Sequence, residues 1–156
     1  MPKDNVVVGI DIGSTKISTI IATLEEENIN IIGASSTIEC TFGTAPMPFM
    51  VLPTNEVTTV FMPTGVTKDH IPFVNILPFA LCTSLANPAV AAATAAALGV
   101  LTPMPCTPVP TGDWVPGTPT VEIGGAPSID ETCTLSCAFG GVISFITPGQ
   151  AITIIP

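Results

Sequence analysis

The sequence predicts a mainly β fold: a compact prism of short β-hairpins with one short alanine-rich helix, preceded by an N-terminal β-meander. Three observations support this prediction. The chain contains 17 prolines and 13 glycines among 156 residues, and such a density of proline excludes long regular sheets because proline fits only edges, strand starts and turns. Short β-prone runs alternate with these turn residues. A single segment, residues 87–99, has clear helical character.

The first 36 residues differ from the rest and form the predicted β-meander. Strands are expected at residues 6–10, 16–23 and 29–32, joined by a glycine-containing turn and by the acidic turn that holds Glu25, Glu26 and Glu27. We interpret that acidic run as a solvated tip. The predicted organisation is therefore an extension of residues 1–36 followed by one domain of residues 37–156.

The main domain is expected to consist of short strands with frequent corners. Turns are predicted at Phe42-Gly43, at residues 53–55 and at Gly124-Gly125, and residues 137–155 are expected to give a further hairpin-like pair. A short motif also repeats, because Cys40-Thr41-Phe42-Gly43 returns as Cys137-Ala138-Phe139-Gly140. Repeated strand-turn units favour a prism or short β-helix in which equivalent turns stack.

The helix is predicted from its end signals and its composition. Asn87 suits the N-cap, Pro88 suits the first helical position, and the alanine run has the highest intrinsic helix propensity. Gly99 is expected to end the helix at C′. Such a short alanine-rich helix is marginal alone, so it must dock against other parts of the chain.

Charge and hydropathy exclude several kinds of partner. The chain has 12 acidic residues, three lysines and no arginine, for a net charge of −9, which disfavours binding to nucleic acid and to anionic membranes. No stretch of about 20 residues is apolar enough for a transmembrane helix, and the N-terminus lacks a signal-peptide pattern. We expect assembly in the cytoplasm. Because only 10% of residues are charged, a partner is expected to cover much of the surface.

Catalytic patterns are lacking in the sequence. One histidine and five cysteines occur, but no nucleophile elbow or flanking signature accompanies them, so we expect no enzymatic activity. Trp114 lies in a Pro/Gly-rich loop and suits either the core, the commoner place for a lone tryptophan, or an interface anchor.

The segment Gly9-Ile10-Asp11-Ile12-Gly13-Ser14-Thr15-Lys16 resembles the first phosphate-binding loop of the actin-like ATPases, in particular the start of the cell-division protein FtsA. In that family the aspartate and the backbone amides of the Gly-Ser-Thr turn face nucleotide phosphate and metal. The resemblance ends before residue 37, and the second phosphate loop and adenosine motif have no counterpart. A nucleotide-binding module using Asp11–Lys16 is thus the alternative function, and an added β-ribbon is the simpler interpretation.

Residues 37–150 resemble the PAAR-like spike-tip proteins of bacterial contractile injection systems, in a cysteine-rich branch. The resemblance rests on residues 39–46, 69–70, 74–82, 86–106, 116–129 and 137–143, followed by residues 148–150. It implies a cone of β-hairpins whose broad face docks on a trimeric β-helical spike and whose apex is held by a metal, usually zinc. A narrow tip has little interior to bury, and a structural zinc site can supply on the order of 10 kcal/mol of folding free energy.

The same resemblance implies five candidate ligands for the four positions around zinc: Cys40, His70, Cys82, Cys106 and Cys137. By analogy with the wider pattern His70, Cys106 and Cys137 are the safer three, while Cys40 and Cys82 compete for the fourth. Cys133 is the remaining thiol. Two other uses stay open: buried free cysteines can act as small apolar residues, and Cys82 could pair with Cys106, although a reducing cytoplasm disfavours disulfides.

The function implied is structural. A single copy would cap the trimeric spike of a contractile injection system, of the type VI or the phage-tail-like extracellular kind, and would be delivered outside the cell with it. Effector cargo or an adaptor segment would be carried at an end, and residues 1–36 are placed there.

Overall fold

The computed structural model describes residues 6–12, 17–23, 29–30, 36–59, 61–150 and 154–155. As predicted, the fold is mainly β, with one short helix and several small antiparallel sheets. In chain order the strands are β1 (Val6–Ile12), β2 (Ile17–Thr23), β3 (Ile29–Asn30), β4 (Thr37–Cys40), β5 (Met47–Pro48), β6 (Thr58–Thr59), β7 (Met62–Pro63), β8 (Leu81–Cys82), β9 (Met104–Pro105), β10 (Thr118–Ile123), β11 (Ala126–Ser128), β12 (Thr134–Ser136), β13 (Val142–Thr147) and β14 (Ile154–Ile155).

The N-terminal strands lie where the sequence predicts them, but their pairing differs in part from a meander. Strands β1 and β2 form an antiparallel hairpin in which Val6 pairs with Thr23 and Ile12 with Ile17. Strand β3 pairs with β14 near the other end of the chain, and in the described residues its sheet holds only those two strands.

A four-stranded antiparallel sheet in the order β12-β13-β4-β5 organises the main domain. At one end Cys40 pairs with Ile143, and at the other end Thr37 pairs with both Thr147 and Pro48. The prediction of a hairpin within residues 137–155 is wrong. Strand β13 pairs with β12 on one edge and with β4 on the other, so neither edge is open to β14. Strand β14 pairs with β3 instead.

Smaller hairpins surround this sheet. Residues Pro53–Asn55 form a 3₁₀ turn at the predicted break. Strands β10 and β11 pair around Gly124-Gly125, which have φ of 59° and 79°, so the predicted Gly-Gly turn is confirmed at positions where glycine's freedom is used. Strands β8 and β9 pair at the base of the segment that carries the helix.

Helix α1 spans Pro88–Ala96. As predicted, Pro88 begins it and the Asn87 side chain caps it, accepting a 3.0 Å hydrogen bond from the Ala89 amide. Its end is one residue earlier than expected: Leu98 occupies the left-handed C′ position (φ 55°), while the Gly99 amide bonds to the Thr94 carbonyl. No helix in the described part of the chain has the length and hydropathy that crossing a membrane requires.

The core lies between the four-stranded sheet and the loops that cover it. Trp114 is 1% exposed; its ring stacks on Phe145 at 4.7 Å and meets Phe49 edge-on at 5.6 Å. Its indole N–H donates a 3.0 Å hydrogen bond to the Asp69 carbonyl, so its polar atom is satisfied inside the protein. Of the two roles predicted for Trp114, the structure shows the core role.

Candidate metal centre

Four cysteines line one small cavity at an end of the four-stranded sheet. They are Cys40, Cys82, Cys106 and Cys137, and the cavity wall is completed mainly by Phe42, Phe79, Phe139, Pro108 and Ile143. The cavity volume is ≈ 10 Å³, which is close to the smallest volume that can hold one water molecule. The cavity therefore has room for about one water-sized particle among the four cysteine side chains.

Two of these cysteines are supplied by the repeated Cys-x-Phe-Gly turns. Each turn closes with the same hydrogen bond: Gly43 N–H donates to the Cys40 carbonyl at 2.8 Å, and Gly140 N–H donates to the Cys137 carbonyl at 2.9 Å. Cys40 ends β4 and Cys137 follows β12, so both turns lie at the same end of the sheet. The sequence repeat thus corresponds to two equivalent turns that face a common cavity.

The other two cysteines come from the base of the helical segment. Strand β8 ends in Cys82, which pairs with Met104 of β9 and also bridges to Gly43. Just beyond β9, the Cys106 amide donates a 2.8 Å hydrogen bond to the Ala80 carbonyl. Residues 83–105, including helix α1, therefore leave the cavity at one cysteine and return to it at another.

Burial keeps the thiols of Cys40 and Cys106 protonated by raising their pKa values. Burial raises the pKa of Cys40, nearby Cys137 and Cys82 raise it further, and the backbone N–H groups of Phe42 and Gly43 act in the opposite direction by hydrogen bonding to the sulfur. Burial likewise raises the pKa of Cys106, with an opposing hydrogen bond from the backbone of Phe79. A metal ion would have to displace these protons, as any thiolate site requires.

The chemistry of this donor set fits a single soft metal ion. Thiolates favour Zn²⁺ over hard cations, and four sulfurs match the ligand count of a structural zinc site. Among the described residues, no group of three or more His, Cys, Asp or Glu side chains is already arranged to hold an ion. The four cysteines share the cavity, so binding one ion would require their side chains to rearrange.

His70 lies away from this cavity. Its Nε2 is 2.9 Å from Oδ1 of Asp113, and both side chains are partly exposed. The neighbouring carboxylate of Asp69 accepts a 2.9 Å hydrogen bond from the Val66 amide, and burial raises the pKa of that carboxyl. The structure therefore brings together four of the five candidate ligands and uses the fifth to join two loops.

Cys133 is buried in the core rather than at the cavity. It has no solvent exposure, and its sulfur accepts a 3.4 Å hydrogen bond from the Asp130 amide. Burial raises the pKa of this thiol. It behaves as a small apolar core residue, which was the open alternative for buried cysteines.

Residues 13–16, with most of the phosphate-loop resemblance, lie outside the described residues, as do the acidic residues 25–27. Two residues beside the cavity were missed in the sequence. Ser84 hydrogen-bonds to Phe139, and Gly141 packs against Cys40. Only the adjacency of Gly141 to the repeated turn could have indicated its role; the contact of Ser84 spans 55 residues and leaves no local signal.

Comparison with protein-family models identifies a family that covers most of the chain. A family model described as Domain of unknown function (DUF4280) matches residues 32–150, about three quarters of the chain. The matched region includes all four cavity cysteines and leaves out the residues that resemble the phosphate loop. A search of curated proteins and a search of solved structures each found no match.

Proposed function

The chain belongs to the DUF4280 family, and from this premise we propose that it is a metal-pinned structural tip that caps the trimeric spike of a contractile injection system. The sequence resemblance to PAAR-like spike-tip proteins covers nearly the same residues as the family match. In this proposal the protein acts through shape and rigidity, binds no nucleic acid and turns over no substrate.

The observation that carries the proposal is the convergence of Cys40, Cys82, Cys106 and Cys137 on one cavity. These residues come from four places spread over nearly 100 positions of the chain. A cavity lined by four thiols, one threonine and otherwise apolar residues, with room for about one water-sized particle, suits a single Zn²⁺ ion better than a larger cluster. Bound zinc would cross-link the two turns and the base of the helical segment.

The zinc would have a structural role. Four protein ligands leave no open position for substrate or water, which separates structural from catalytic zinc sites. The cross-link would compensate for a small interior at this end of the protein, where the sheet ends in two turns and strands β8 and β9 have only two residues each. Mechanical stiffness at the apex would follow.

The opposite end of the sheet offers a docking face. Beyond Pro48 the chain continues past the Thr37 end of the sheet to Met50. The Met50 amide donates a 3.1 Å hydrogen bond to the Asn75 carbonyl, and the Asn75 side chain donates a 2.8 Å hydrogen bond to the Met50 carbonyl. Exposed apolar side chains cluster around this contact, and we call them the apolar end face: Met50, Ile71, Phe73 and Val74.

Two properties of the apolar end face suit a covered surface. Phe73 is 58% exposed and holds a left-handed backbone (φ 62°), a conformation that is uncommon for a bulky residue. The four side chains of the apolar end face carry no charge, so they would meet an apolar partner without burying one. The blunt end of a β-helical trimer is the partner proposed.

The first experiment measures metal in the purified full-length chain by elemental analysis, with thermal unfolding before and after a chelator. About one zinc per chain and a large drop in melting temperature on chelation support the proposal. If the chain contained no stoichiometric metal and did not respond to the chelator, the proposal of a metal-pinned tip would be overturned.

The second experiment measures capping. The chain is mixed with the trimeric β-helical spike protein of the same injection system, and the mass of the complex is determined by light scattering; one chain per three spike chains is expected. Phe73→Glu should abolish the complex while keeping the zinc. Val109→Glu, at an exposed apolar residue on the cysteine side of the molecule, is the matched control and should leave the complex intact.

A further inference from the structure

We propose that Ser84 is a positioning residue that fixes Cys82 as a metal ligand by tying its loop to the turn of Cys137. This inference rests on the proposed metal site and adds a residue that lies outside it. Ser84 does not line the cysteine cavity, so it would act through Cys82, two positions before it in the chain.

The Ser84 side chain is buried and fully engaged. It is 3% exposed, its hydroxyl donates a 2.6 Å hydrogen bond to the carbonyl of Phe139, and its oxygen accepts a 3.2 Å bond from the Ala86 amide. The Ser84 carbonyl accepts a further bond from the amide of Asn87, the helix N-cap. One residue thus connects the Cys137 turn, the Cys82 strand and the start of helix α1.

The neighbouring residue makes the equivalent connection to the other turn. The Thr83 amide donates a 2.9 Å hydrogen bond to the carbonyl of Phe42. Phe42 and Phe139 occupy the same position in the two Cys-x-Phe-Gly turns. Residues 83 and 84 therefore span both turns, and Cys82 is held between Cys40 and Cys137.

This bridge adds to the bond from Thr83, because packing of the helix restrains Cys82 only weakly from its C-terminal side. Strand β8 ends at Cys82, and the following helix has Val90 as its one buried residue among Pro88–Ala96, so packing of α1 gives limited anchorage. A bond from Ser84 across 55 residues fixes the point where the chain leaves the cavity. Residues that orient a ligand in this way typically change metal affinity 10- to 100-fold when removed.

The test compares the full-length Ser84→Ala variant with two controls. Thr83→Val removes a neighbouring hydroxyl whose 3.2 Å bond to Phe42 duplicates the bond from its own amide. Ser128→Ala removes a buried hydroxyl that has no hydrogen-bond partner in the described part of the chain. Zinc affinity is measured by competition with a chromophoric chelator, and Co²⁺ is used as a spectroscopic probe because its visible spectrum depends on ligand number and geometry.

Ser84→Ala is expected to weaken zinc binding about 10- to 100-fold and to change the Co²⁺ spectrum, while both controls match the wild type. The inference would be overturned if Ser84→Ala kept the wild-type zinc affinity and Co²⁺ spectrum, or if this variant failed to fold with zinc present. Either outcome would leave the proposed metal site standing. A wild-type chain that binds neither metal would overturn the proposed metal site and this inference with it.

Discussion

Gly141 lies directly against the sulfur of Cys40: a β-carbon at Gly141 would be 2.8 Å from Cys40 Sγ and 3.7 Å from the Cys137 β-carbon. The backbone of Gly141 does not have a positive φ, so a side chain is excluded here by space and not by conformation. The glycine that follows the second Cys-x-Phe-Gly turn therefore makes room for the cysteine of the first.

Gly141→Ala should displace the Cys40 sulfur and weaken zinc binding, with a cost to stability of about 1–3 kcal/mol from overpacking. Zinc competition and urea unfolding measure the two effects. Gly112→Ala is the matched control, since Gly112 has no atom within 4 Å of such a β-carbon and no positive φ. Equal zinc affinity in the two variants would contradict this role of Gly141.

The cysteines should separate into ligands and a core thiol. Cys82→Ser and Cys137→Ser are each expected to lose stoichiometric zinc and most of the response to chelator. Cys133→Ser should keep the zinc but unfold more easily, because it places a hydroxyl in a fully buried site. Elemental analysis beside thermal unfolding distinguishes these outcomes, and zinc loss in Cys133→Ser would contradict the assignment.

His70→Ala should keep one zinc per chain, because the His70 ring contacts Asp113 and does not line the cysteine cavity. The expected effect is a small loss of stability, about 1 kcal/mol for one side-chain hydrogen bond. Asp113→Asn, which removes the charge of the partner, serves as the comparison and should behave in the same way. A chain without zinc after His70→Ala would instead make histidine a ligand, as the family resemblance implies.

Leu98→Gly should stabilise the protein by about 1 kcal/mol, because Leu98 holds a left-handed backbone that glycine adopts without a β-carbon penalty. The side chain is 97% exposed, so little buried area is lost. Leu98→Ala keeps the β-carbon and should show no such gain. Urea unfolding of both zinc-loaded variants measures the difference, and equal stabilities would contradict the prediction.

Asp130 should make the protein sensitive to acid. Burial acts to raise its pKa, but hydrogen bonds from Thr132 and Thr118 outweigh burial and leave the pKa below its usual value. A carboxyl with a lowered folded-state pKa stabilises the fold above its unfolded pKa of about 4, and that contribution is lost as the pH falls through the folded value.

The corresponding measurement is urea unfolding of Asp130→Asn and the wild type between pH 7 and pH 3. Asp130→Asn should be less stable at pH 7 by about 1.5–3 kcal/mol, the range for hydrogen bonds to a charged group, and the difference should shrink at low pH. A constant difference across this range would exclude the carboxylate as its source.

Local chemistry allowed several elements to be predicted. The Asn87 cap and Pro88 begin helix α1, and the Gly124-Gly125 turn closes its hairpin, because each depends on residues close together in sequence. The N-terminal hairpin of β1 and β2 follows for the same reason. The Cys-x-Phe-Gly repeat likewise identified two turns that the structure shows to close with the same hydrogen bond.

By itself the sequence determined the mainly β class, the single short helix and the set of residues from which a metal site could be drawn. Only the tertiary structure decided that Cys40, Cys82, Cys106 and Cys137 share one cavity while His70 joins Asp113. It also decided that β14 pairs with β3 and that Leu98 takes the left-handed helix end. The physical reason is sequence distance: caps and tight turns are settled within a few residues, whereas a cavity formed by positions 40–137 depends on how the whole sheet and its loops pack.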